Sequence, residues 1–238
     1  GRNPVEEWKR FAALRGKFGK ERETGAMAEN TKDSFLMTLE GGEGEIVEKK
    51  SRFIATVRPV ASEEEALAFI EEMKKKYWDA RHNCSAFVIG RNQELMRFSD
   101  DGEPQGTAGK PMLDVLLGRE LHNVCAVVTR YFGGVLLGTG GLVRAYTTAT
   151  ARALENAEVV TVRSVIELSV TVDYSLYERA SLLIQGAGAK LAEPEFTDRV
   201  ALRWQMPEGT EGPLLEQLRE LTRGGANVSV SKPFYAPF

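Results

Sequence analysis

Cysteine and histidine are scarce, with two of each among 238 residues. Two cysteines make no disulfide framework, which favours a reducing, cytoplasmic setting. No apolar run approaches the roughly 20 residues that span a bilayer, so no membrane-spanning segment is expected and the body is read without a membrane partner. The opening residues Gly1-Arg2-Asn3-Pro4 lack the apolar core of a secretory signal. No charge dominates either: the net charge is −3, which does not announce a nucleic-acid binder. Internal repeats and low-complexity runs are also missing.

What is present is an ordinary globular composition, 42% hydrophobic and 27% charged, enough for one large or two modest domains. The charge is unevenly spread: +3 over residues 1–26, −4 over 27–160 and −2 over 161–238. The basic head reads as a short amphipathic helix. Asn3 suits the cap, Pro4 the first turn, and Val5, Trp8, Phe11 and Ala12 recur at helical spacing. Such a helix suits an acidic groove, a membrane surface or nucleic acid, and it could dock on the body or on a neighbouring chain. Gly25-Ala26-Met27 resembles a junction before a start codon, so residues 1–26 read as a cloning-derived or grafted extension, with a natural amphipathic extension as the alternative. They stand outside the fold argument.

In the body, residues 34–40 and 45–60 alternate like strands around Gly41-Gly42-Glu43-Gly44, which reads as a hairpin turn. Ser62-Glu63-Glu64-Glu65 is a capping box opening a helix whose apolar stripe runs to about Trp78. Strands are expected at 83–90 and 94–98, then a polar, glycine-punctuated loop at 99–109, long enough to be functional. A short helix at 110–117 follows. Residues 124–132 are nearly continuously apolar, as in a strand buried on both faces. An alanine-rich helix is expected over 142–156. Beyond it the pattern reads βαββαβ: strand 165–172, helix 175–186, strands 190–196 and 199–206, helix 212–222 and strand 226–231. That is the split order of a ferredoxin-like sandwich.

Several constellations could carry chemistry. His82, Cys84, His122 and Cys125 make a numerical Cys2His2 set, but neither pair has zinc-finger spacing and Cys125 lies in a buried-strand pattern. Cys84 with His82 could form a nucleophile–base pair, since residues two apart share one face of a strand. A core cysteine beside a hydrogen-bonding histidine is the plainer alternative. Asp100, Asp101 and Glu103 could hold a divalent ion or serve as acid and base, as in a metal-dependent hydrolase with His82. The same residues also build turns. Two glycine-rich stretches precede helices, Gly106-Thr107-Ala108-Gly109 and Gly138-Thr139-Gly140-Gly141. Glycine permits close backbone approach, and a helix start offers unpaired N–H groups to an anion. Lys110, Arg130 and Arg144 lie nearby in sequence. Neither stretch is a Walker A or a Rossmann fingerprint. No cofactor is implied.

Four motifs stand together: Lys50-Ser51-Arg52-Phe53-Ile54; His82-Asn83-Cys84-Ser85-Ala86; Asp100-Asp101-Gly102-Glu103-Pro104 with Gly106-Thr107-Ala108-Gly109; and Arg130-Tyr131-Phe132-Gly133-Gly134 with Leu137-Gly138. In this order they resemble the YigZ/Impact family, over residues from about 34 to the C-terminus. The resemblance implies an α+β protein of two domains. Residues 27–160 would form an Impact-type, ribosomal-protein-like α/β sandwich similar to domain IV of elongation factor G. Residues 161–238 would form a ferredoxin-like βαββαβ domain similar to domain V of that factor. Eukaryotic Impact proteins regulate translation by competing for the scaffold that activates an amino-acid-starvation kinase. They carry an extra N-terminal interaction domain that is not recognised in this sequence, so that partner is not carried over. The family implies no settled catalytic residues, and its pattern leaves positions 122 and 125 merely apolar or variable.

The expectation is a cytoplasmic, non-catalytic protein that binds RNA or a ribosomal component and modulates translation or a stress response. Lys110, Arg130 and Arg144 would engage phosphates, with backbone N–H groups at Gly133, Gly134, Gly140 and Gly141. Tyr131 or Phe132 would stack on a base. The alternatives are the hydrolase built on His82, Asp100, Asp101 and Glu103, and a protein-interaction module with an exposed apolar patch.

Overall fold

The computed structural model describes residues 34–238. The expected helix within residues 1–26 lies outside them. The chain divides into two compact units, Phe35–Thr161 and Val162–Phe238.

The first unit contains β1 (Ser34–Glu40), β2 (Gly42–Glu48), β3 (Ser51–Pro59), α1 (Glu63–Lys76), β4 (His82–Ile89), β5 (Leu95–Ser99), α2 (Gly109–Gly118), β6 (Leu121–His122), β7 (Val124–Tyr131) and α3 (Thr139–Glu155). Five strands form an antiparallel sheet in the order β2-β3-β7-β4-β5. β1 pairs instead with β6, in parallel. Helices cover both faces of the sheet, which explains the unbroken apolar character of β7. Cys125 and Val127 face Phe69, Ile70 and Met73 of α1. Val124, Ala126 and Val128 face Met112 and Leu116 of α2 and Ala145, Tyr146 and Ala149 of α3.

The capping box operates at the start of α1. Ser62 Oγ accepts from the Glu65 N–H, and the Glu65 carboxylate reaches back to the Ala61 N–H at 2.9 Å. Glu63, Glu64 and Glu65 in the first turn and Lys74, Lys75 and Lys76 in the last complement the helix dipole.

The hairpin turn is not at Gly41–Gly44 (residues 41–44). It lies between β2 and β3, at Lys49 and Lys50, both in the left-handed region with φ of 45° and 67°. The two glycines inside β2 have another purpose. A Cβ on Gly42 would lie 2.2 Å from the Ala153 carbonyl oxygen, and one on Gly44 2.6 Å from Ala153 N. Glycine therefore lets α3 press directly onto the strand, and it mimics turn chemistry in the sequence.

The second unit contains the continuation of β8 (Glu158–Val172), then α4 (Tyr174–Gly186), β9 (Lys190–Leu191), β10 (Glu195–Phe196), β11 (Val200–Pro207), α5 (Gly212–Leu221), β12 (Ser229–Val230) and β13 (Phe234–Pro237). β11 runs antiparallel to β8 on one side, and β12 and β13 pair with β8 on the other. β9 and β10 add beyond β11. This is the ferredoxin-like arrangement. Ile166, Leu168, Val170 and Val172 of β8 alternate inward against Ala180, Ile184, Leu214 and Leu218 of the helices. The strand expected over 190–196 breaks into two short pieces around Glu193-Pro194, because proline has no N–H for the ladder. Among the described residues, no helix is long and apolar enough to cross a membrane.

Candidate nucleic-acid interface

The long loop at 99–109 folds back on the sheet through its carboxylates. Asp100 accepts from three backbone N–H groups, those of Gly106 (2.8 Å), Ala108 (3.1 Å) and Gly109 (2.8 Å). The N-cap residue of α2, Ala108, has no capping side chain, so Asp100 supplies the missing acceptor. The first glycine-rich helix start thus already holds an anion from its own chain. Asp101 accepts from the Asn83 N–H at 2.6 Å. His82 Nδ1 lies 2.8 Å from the Asp101 carbonyl oxygen, which can only accept, so Nδ1 carries the proton.

Glu103 goes deeper. Its side chain is 2% exposed and that of Arg130 8%. One guanidinium nitrogen of Arg130 donates to both Glu103 oxygens, at 2.7 and 3.0 Å, and the Tyr146 hydroxyl donates to the same carboxylate at 2.7 Å. The Cys84 thiol reaches the Asp100 carbonyl at 3.0 Å and the Tyr146 hydroxyl at 3.4 Å. Burial pushes the Cys84 thiol and the Tyr146 phenol well above their ordinary values.

This cluster is a structural clamp. Each of the three carboxylates is engaged by donors within the fold, and Cys84 is held as a thiol. No group of three or more His, Cys, Asp or Glu side chains able to hold a metal occurs among the described residues. Cys125 is likewise buried and its thiol pushed up by desolvation. Iodoacetamide at neutral pH is therefore expected to leave both cysteines unmodified in the native protein and to label both after denaturation. Rapid native labelling of Cys84, followed by mass spectrometry, would restore the nucleophile reading.

The exposed cations lie elsewhere. Lys110 forms an exposed ion pair with Asp114 on its own helix, which partly offsets its charge, whereas Arg130 is enclosed with Glu103 and is not an open phosphate ligand. The physical reason for Arg130 is the strand that carries it: β7 is covered on both faces, and an arginine there must be paired inside. Arg144 remains exposed and without an ion pair among the described residues. It stands beside the start of α3, where a Cβ on Gly140 would lie 3.9 Å from its Nη1. The N-cap Gly138 has no capping side chain, and Gly140 is exposed with Gly141 half-buried beside it.

Between β7 and α3, the loop presents Phe132, Val135 and Leu136 to solvent while Leu137 anchors it in the core. Gly133 lies directly on the Lys49-Lys50 turn. Its N–H donates to Ser51 Oγ at 3.2 Å, and a Cβ there would sit 2.0 Å from the Lys50 carbonyl. Gly134 takes a φ of 84° to turn the chain outward. The glycines thus join Phe132 to two lysines that sequence spacing did not connect with them. Lys49 and Lys50 have no ion-pair partner among the described residues. Their left-handed backbone costs on the order of 1 kcal/mol each, and such outliers gather at functional sites. Tyr131 is half-buried, and its hydroxyl donates to Asp79 at 2.8 Å. Arg52 is held by both oxygens of Glu45, a hydrogen bond that keeps that carboxyl below the usual range.

An α/β sandwich with a buried Glu103–Arg130–Tyr146 cluster and an exposed rim of loops, followed by a ferredoxin-like unit, defines a two-unit α+β protein. The Impact N-terminal domain matches residues 49–154, and a domain of unknown function, DUF1949, matches residues 170–224. The IMPACT family member YvyE of Bacillus subtilis is 40% identical over 202 residues, covering 85% of this chain and 93% of that protein. The IMPACT family member YigZ of Escherichia coli is 37% identical over 182 residues, covering 76% and 89%. A solved structure described as a hypothetical protein aligns with a TM-score of 0.55 at 34% identity, over 83% of this chain and 97% of that one. The chain belongs to the IMPACT family.

Proposed function

We propose that the chain is a non-catalytic binder of RNA or of a ribosomal component, acting on translation or a stress response. The observation that carries this reading is the seating of Gly133 on Lys50. It sets two lysines, without an ion pair among the described residues, against the exposed Phe132 loop. That loop leads into the open start of α3 with Arg144, an arrangement of cations and N–H groups suited to phosphate. The engagement of Asp100, Asp101 and Glu103 by internal donors supports binding over hydrolysis.

The body is mildly acidic, so affinity should be modest and steeply salt-dependent. Replacing Lys49, Lys50 and Arg144 together with alanine should weaken RNA binding at low salt. It should also reduce the slope of log affinity against log salt by about 2–3, close to one per lost phosphate contact. Gel shifts and co-sedimentation with ribosomes at low salt read this out. If the native protein binds neither RNA nor ribosomes there, the reading fails.

A further inference from the structure

Trp78 is 82% exposed, an indole left in water just past the end of α1. Its position is fixed by bonds on either side. The Tyr77 N–H donates to Met73 O, closing the helix, and the Ala80 N–H donates to Tyr77 O, closing the turn that carries Trp78. The neighbouring Asp79 accepts from the Tyr131 hydroxyl, tying this turn to the end of β7. Tyr131 pairs with Arg52 on β3, one residue past the Lys50-Ser51 step. On the other side of β7, His82 opens β4 opposite Arg130, with the exposed Arg81 just before it.

These contacts gather Lys50, Phe132, Trp78 and Arg81 at one end of the sheet. From the β2–β3 turn across β7 to β4 the end is about 14 Å wide, three strand spacings. Lys50 and Arg81 have no ion-pair partner among the described residues. Two exposed aromatic residues and two cations without an ion pair among the described residues therefore share this end of the sheet. The Phe132 loop also exposes Val135 and Leu136, but the cations beside the two rings favour a polyanion over a purely apolar partner.

We infer that this end of the sheet is a platform for single-stranded RNA, with Trp78 and Phe132 stacking on bases and Lys50 and Arg81 meeting the phosphates between them. The inference rests on the RNA reading above and narrows it to unpaired nucleotides. A duplex keeps its base faces stacked on one another, so a stacking platform can use only single strands, loops or ends.

The test is fluorescence anisotropy of a labelled oligouridine titrated with the full chain at low salt. Trp78→Ala should weaken binding about tenfold, the effect of removing one stacked base contact. Trp78→Phe should restore most of the loss, and neither change should move the unfolding midpoint of a residue so exposed. Unlabelled single-stranded RNA should compete, and a duplex of equal length should not. Equal competition by the duplex, or wild-type binding by Trp78→Ala, overturns the platform. If Trp78→Ala binds normally while the Lys49, Lys50 and Arg144 variant does not, the platform falls and the RNA reading stands. If neither oligonucleotide nor ribosomes are bound, both fall.

Discussion

Glu103→Ala is expected to destabilise the Phe35–Thr161 unit by about 3–5 kcal/mol, the cost of stranding a buried charge. In calorimetry this corresponds to an unfolding midpoint lower by about 11–19 °C. Among the described residues, Glu103 is the one carboxylate paired with the Arg130 guanidinium, and Tyr146 loses its acceptor at the same time. Arg130 Nε is already buried without a partner, so the guanidinium has little in reserve. Glu103→Gln keeps an acceptor for Tyr146 while losing the charge, and should fall between the wild type and alanine. Removing both charges, as Glu103→Leu with Arg130→Met, should recover much of the loss, because two apolar side chains leave nothing unpaired. An unchanged midpoint in Glu103→Ala would mean that the pair is not enclosed.

Asp100→Ala is expected to cost about 3 kcal/mol, because a single carboxylate accepts three backbone N–H groups. Ala108 and Gly109 are buried, so their N–H groups have no water to turn to. Asp100→Asn keeps one acceptor oxygen and should recover part of the loss. Hydrogen exchange at Ala108 and Gly109 is the direct readout. It should quicken in Asp100→Ala far more than at the amides of α1, which lies on the opposite face of the sheet. Unaltered exchange at both positions would show that another group caps α2.

Elements whose signals are local were legible in the sequence. Ser62 and Glu65 identify the start of α1 because a cap is decided within four residues. The apolar run of β7 gives its double burial for the same reason. What was not legible depends on partners distant in the chain. Gly42 and Gly44 look like a turn until Ala153 is laid across them. Lys49 and Lys50 lack the glycine or asparagine that usually marks a two-residue turn, so the true turn carried no label. Arg130 and Glu103 are 27 residues apart and each reads as a surface charge. The warning was present in Arg130's position, since a strand covered on both faces takes its arginine inside. Trp78 was read as the end of a core stripe, yet it falls one residue beyond the helix cap at Tyr77, where the stripe no longer faces the sheet.

The carboxylate of Asp100 at the head of α2 also bears on selectivity. Being tethered, it faces those three amides at an effective concentration that, by analogy with short-linker tethering, is on the order of millimolar or higher. A dissolved phosphate must displace it and overcome its repulsion as well. The protein thereby closes this glycine-lined helix head against anions from outside, and on the proposed RNA reading a polyanion is left with the head of α3.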